Sequence, residues 1–124
     1  DDFRNWHSAN NLPLLPWSAQ ARGFFLEWES NGLAATRHGA DPTDDEIQRV
    51  WRSEDNLERR RRAFQLAEEI GVSAIQIAFA YVVNQPFPCC ALVGPRNPMQ
   101  LQDSLDAAQI SLTSEQINWL DLRD

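Results

Sequence analysis

The stretch SAIQIAFAYVVN (73–84) limits the fold more than any other part of the chain. Ser73 followed three residues later by Gln76 is a capping box, in which hydroxyl and amide each satisfy a backbone group at the helix start. The residues behind it are apolar on nearly every side, so this helix must be enclosed by other elements. A chain of 124 residues, 43% of them hydrophobic, has enough material for that as one small domain, 1–124. Such a chain buries roughly two-thirds of its unfolded surface.

The enclosing elements are marked by their caps. TDDE (43–46) is a second capping box, opening a short helix with Ile47, Val50 and Trp51 on one side. A helix from about Asp55 to Ile70 carries Leu57, Phe64, Ala67 and Ile70 near helical spacing, with Gly71 as its stop. NPMQ (97–100) supplies Asn at the cap, Pro at the first turn and Gln at the third position, for a helix through about Ala108. TSEQ (113–116) opens a last helix with Ile117, Trp119, Leu120 and Leu122. Residues 1–9 read as the end of a helix or a frayed terminus.

Two short apolar runs read as strands. LPLLPW (12–17) carries two prolines, and PCCALVG (88–94) ends in glycine. Strands alternating with helices imply an α/β fold with parallel strands and helical crossovers. Two strands are too few for a stable sheet. Between the first strand and the helices, residues 18–42 form a long loop of the kind that carries function.

The net charge of −7 and pI near 4.7 argue against nucleic acid as a partner, which needs a basic face. No run approaches the roughly 20 apolar residues of a membrane span, and no signal-peptide pattern opens the chain. The first residue is not Met, so the natural start is expected to lie upstream or to have been removed. Cys89 and Cys90 are adjacent and read as thiols of the reducing cytoplasm, where small apolar strand residues are the simpler interpretation. His7 and His38 have no second ligand at metal spacing, so no metal site is expected. The run RRRR (59–62) reads as a solvated helix face with Asp55–Arg59 and Glu58–Arg62 pairs. All 11 basic residues are Arg, and Tyr81 is the single tyrosine, placed in the buried-looking helix.

In parallel α/β folds ligands sit where loops leave the C-terminal strand ends. Here those loops are WSAQARG (17–23) and GPRNPMQ (94–100). Gly94 allows close backbone approach, the helix start at Pro98 offers unpaired N–H groups, and Arg96 adds donors suited to phosphate. Gln100, Asp103 and Ser104 follow within reach of a ribose or base.

SAQARG, AEEIGVSAIQIAFAYV, LVGPRNPMQLQDSL and the closing SLTSEQINWL, in this order, resemble the C-terminal part of an aldo-keto reductase. The resemblance implies a C-terminal fragment of a (β/α)8 TIM barrel, mainly helical, with about two short parallel strands. It implies NADP(H), or NAD(H), as cofactor. Trp17 then stands where an aromatic stacks on the nicotinamide. Ser18, Gln20 and Arg22 match the loop around the pyrophosphate. Gly94, Pro95 and Arg96 match the stretch at the adenosine 2′-phosphate, and Gln100, Asp103 and Ser104 match helix positions at that phosphate, the ribose and adenine. Three positions depart from the family: Gly94 replaces a lysine, Gln100 an arginine and Ser104 an asparagine, which leaves Arg96 as the main cation for the phosphate. The family's catalytic Asp, Tyr, Lys and His fall in the earlier part of the barrel, so no catalytic residue is assigned here. The fragment alone is expected to be inactive, and to need the missing barrel half or self-association to cover its apolar surface. The other reading is a non-enzymatic helical binding or assembly module derived from a reductase end.

Overall fold

The computed structural model describes residues 2–26 and 47–123. Among these described residues five α-helices follow in chain order: α1 (Asp2–Asn10), α2 (Glu54–Ile70), α3 (Ala74–Val83), α4 (Pro98–Ala107) and α5 (Ser114–Leu120). The capping box at 43–46, His38 and loop residues 27–42 lie outside the described residues.

Helix α3 is enclosed, as its composition requires. Ala74, Ile77 and Ala80 pack against Ala63, Leu66 and Ala67 of α2 and against Leu112, Ile117 and Leu120 at α5. Phe79, on another side, meets Ala107 of α4 and Ala19 of the loop after α1. Ile75 meets Leu26. Three neighbours on three sides explain why the helix has no polar face. Its cap is the capping box expected, with the Gln76 N–H donating to Ser73 Oγ at 3.3 Å and the Ser73 N–H donating to Gln76 Oε1 at 3.0 Å. At the other end the Asn84 amide donates to Ala80 O and Ile110 O, which ties α3 to the α4–α5 link.

Helices α2 and α3 meet at 99°. Gly71 makes the corner: its φ of +82° lies in the left-handed region, and its N–H and that of Val72 both donate to Ala67 O. Ser53 caps α2 by accepting from the Asn56 N–H. Before it, residues Ile47–Trp51 form a single π-helical turn. Trp51 packs against the Ala21–Phe24 pair, whereas Val50 is exposed and does not share an apolar face with it.

The two expected strands are not formed as strands among the described residues. The runs 12–17 and 88–94 are extended segments joined by one parallel bridge, Leu14 to Cys89. Three bonds of 2.9 Å hold it: Leu14 N–H to Pro88 O, Cys90 N–H to Leu14 O, and Leu92 N–H to Pro16 O. Pro13, Pro16 and Pro88 have no N–H to give, and among the described residues no third segment pairs with these two, so the ladder stops there. Alternation along the segment half-buries Cys89 and exposes Cys90. Burial pushes the Cys89 thiol up, which disfavours a reactive thiolate.

The four arginines divide their work. Arg61 and Arg62 both bond Glu58 at 2.8 Å and hold its exposed carboxyl down at about 2. Arg62 also reaches Trp119 O at the end of α5 (2.6 Å), and Arg60 donates to Phe24 O (2.9 Å) and Leu26 O (2.6 Å). The Asp55–Arg59 pair does not form; Arg59 bonds Asn56 Oδ1 at 3.1 Å instead. The run is therefore more a brace than a solvated face.

A polar knot ties the first helix to the last. Asp121 accepts from Arg4, from Arg123 Nε (2.6 Å) and from Tyr81 Oη (2.8 Å), while Arg4 also bonds Gln85. His7, a buried residue of α1, places Nδ1 2.9 Å from Leu12 O and stacks on Phe87, which accounts for it structurally. Burial first, and the bond to Asp121 second, push the Tyr81 hydroxyl up to about 12. An unfolded phenol ionises near pH 10. The folded chain thus keeps a proton that the unfolded chain releases, so this stabilisation is whole below pH 10 and is lost as pH rises toward 12. Urea unfolding from pH 8 to 11.5 is expected to show a decline above pH 10 that Tyr81→Phe flattens. An equal decline in both proteins contradicts the assignment.

Candidate functional site

The parallel bridge fixes where the two loops begin. Leu92 N–H donates to Pro16 O at 2.9 Å, and the next residues are Trp17 on one segment and Val93–Gly94 on the other. Both loops therefore leave the same end of the paired segments.

The first loop is strained and braced. Ser18 (φ 56°), Ala21 (φ 47°) and Arg22 (φ 52°) all occupy the left-handed region, followed by Gly23 (φ 92°). For residues other than glycine this costs roughly 1–2 kcal/mol each, and it persists only where surroundings over-determine it. They do so here. Ala21 and Phe24 are buried, Ala21 N–H bonds Ser18 O at 2.8 Å, and Arg60 holds the carbonyls of Phe24 and Leu26. Trp17, by contrast, is 82% exposed at the mouth.

The second loop is built from a helix start. Asn97 caps α4 through a 3.0 Å bond from the Gln100 N–H, with Pro98 in the first turn. Gln100 turns its side chain back, and Oε1 accepts the Arg96 N–H at 2.7 Å. A Cβ on Gly94 meets nothing within 4 Å, so the chain itself leaves that point open. The first loop meets the body of α4: Ala19 shares a buried cluster with Phe79 and Ala107, and Gln20 Nε2 makes a long 3.5 Å contact with Ser104 Oγ.

Of the residues singled out in the sequence, Trp17, Arg22, Gly94, Pro95 and Arg96 are exposed at the two loops. Ser18, Gln20, Gln100 and Asp103 are half-buried beside them. Ser104 is buried: its hydroxyl donates to Gln100 O within α4 at 3.0 Å, and Gln20 Nε2 of the first loop lies 3.5 Å from it. Arg60 was not legible as part of this site: its partners lie 34 and 36 residues away, and only the fold brings them together. Among the described residues no three His, Cys, Asp or Glu side chains gather to hold a metal.

The family model described as Aldo/keto reductase family matches residues 2–122. The chain belongs to the aldo/keto reductase family. Members generally use nicotinamide cofactors, and membership implies a fragment of a TIM barrel. The chain is 27% identical over 112 residues to the Saccharomyces cerevisiae protein named "Putative aryl-alcohol dehydrogenase AAD16". It is 28% identical over 115 residues to versiconal hemiacetal acetate reductase of Aspergillus parasiticus. Each alignment covers 90% of this chain and 32% of the relative, so the chain spans about a third of the length of the curated relatives it matches.

The open space at Gly94 yields a simple expectation. Gly94→Ala should leave stability within about 0.5 kcal/mol in urea unfolding, because the added methyl meets no protein atom. A loss well above that would mean that the glycine serves the chain's own packing.

Proposed function

We propose that this chain supplies one side of the nicotinamide dinucleotide cradle of an NAD(P)H-dependent reductase of aldehydes or ketones. The observation that carries the reading is the shared origin of the two loops at the Pro16–Leu92 bond. That register sets an exposed aromatic and a preformed turn beside a glycine, a guanidinium and a helix start. The donor set fits a dinucleotide: the first turn of α4 and Arg96 suit a phosphate, and the open position at Gly94 admits close approach.

In this reading Trp17 lies against the nicotinamide, Ser18, Gln20 and Arg22 surround the pyrophosphate, and Gly94, Pro95 and Arg96 meet the adenosine end. Gln100 and Asp103 border the ribose and adenine, and buried Ser104 lies beside Gln20 of the first loop. The bound dinucleotide supplies the hydride. This chain contains no Lys, so a proton donor assisted by lysine has to come from elsewhere in the whole barrel. The face bearing Leu15 (57% exposed), Trp17 and Leu92 (50%) is where the remaining barrel, or a second copy, would cover apolar surface. The adjacent unpaired thiols suit a cytoplasmic setting.

Arg96 separates the two cofactors, because NADH lacks the 2′-phosphate. Hydrogen bonds to charged groups contribute about 1.5–3 kcal/mol, or roughly ten- to hundredfold in affinity. In a protein of the relatives' full length containing this sequence, Arg96→Ala is expected to weaken NADPH by that factor and leave NADH nearly untouched. Fluorescence titration of both cofactors measures the ratio. Equal losses would make Arg96 a structural residue and withdraw the 2′-phosphate assignment.

A further inference from the structure

Behind the first loop, on the side of α2 and α3, lies a cavity of about 260 Å³ that Trp17 and Ser18 of that loop line in part and whose deeper wall the dinucleotide reading does not use. Phe24, Phe25 and Trp51 line it from the loop and the π-helical turn, and Ile77 and Ala78 line it from α3. A dry cavity of about 150 Å³ lined by such side chains takes up benzene, so this one has room for one ring and a substituent.

The polar groups at its wall are unequal. Tyr81 also lines the cavity, but its hydroxyl is committed to Asp121, whose charge Arg4 and Arg123 already answer. Asn56 presents a neutral amide. Arg59 is the ionised group among the described lining residues, and no carboxylate accompanies it there. Its bond is to the Asn56 amide oxygen at 3.1 Å, whereas Arg61 and Arg62 beside it bond Glu58. Arg59 sits in the second turn of α2. A half-buried guanidinium with no carboxylate bonded to it among the described residues, beside an aromatic-lined cavity, matches a ligand that is apolar at one end and anionic at the other.

We propose that this cavity is a binding site for a single-ring aromatic carboxylate, its ring among Phe24, Phe25 and Trp51 and its carboxylate on Arg59. The site shares Trp17 and Ser18 with the first dinucleotide loop, but Arg59 and Ala78 have no part in the dinucleotide reading, so variants at these two positions test the site apart from it. Benzoate, with benzamide as its neutral isostere, probes it by calorimetric titration of the chain. Benzoate is expected to bind saturably. Arg59→Gln should weaken benzoate about tenfold and leave benzamide unchanged, as loss of one charge-assisted contact at a partly exposed site requires. Ala78→Leu fills the cavity and should abolish both ligands while the helical circular dichroism persists. If that variant does not fold, Arg59→Gln alone decides. No saturable binding at millimolar benzoate, equal affinity in wild type and Arg59→Gln, or full binding by folded Ala78→Leu would each overturn the proposal.

Discussion

Three backbone hydrogen bonds between residues 14–16 and 88–92 set the geometry on which everything functional in this chain depends. They are few, because prolines on both segments remove donors, yet they fix direction and register together. A slip of one residue would turn every side chain to the opposite face. Leu14 and Cys89 would then point away from the helices, and Trp17 would no longer flank the strand end that leads into Gly94. The bonds are supported from below by α3, whose Phe79 touches both Ala19 and Ala107, so the buried helix and the paired segments hold the two loops jointly.

The loops differ in how they are prepared. The first carries its conformation in advance, with three non-glycine residues at positive φ locked by buried Ala21 and Phe24 and by Arg60. The second is open: Gly94 has empty space around it, and its order comes from Asn97 and Gln100 at the start of α4. A rigid turn facing an open, donor-rich helix start suits a ligand that must be held at one end and admitted at the other.

Much of this was legible beforehand for a physical reason. Helix starts are local, so Ser73, Asn97 and Thr113 announced α3, α4 and α5 within a few residues, and Gly71 announced the corner after α2. The apolar girth of residues 74–83 announced enclosure. What failed was non-local. Strand length depends on neighbours, and without them the runs 12–17 and 88–94 stop at one bridge. Arg60 reads as part of a charged helix face until the fold brings Phe24 and Leu26 to it. Arg59 reads as the partner of Asp55, but the neutral Asn56 holds it. Of the candidate site, the loops were evident from sequence; the strain in the first loop and the burial of Ser104 were not.

The central claim is that one register makes residues 17–23 and 94–104 a single surface for a dinucleotide. Hydrogen exchange, read by mass spectrometry in a protein of the relatives' full length containing this sequence, tests it most directly. With NADPH bound, peptides from both segments should gain protection together, while α5 stays unchanged. Protection confined to one segment, or absent from both while NADPH is demonstrably bound, would contradict the account.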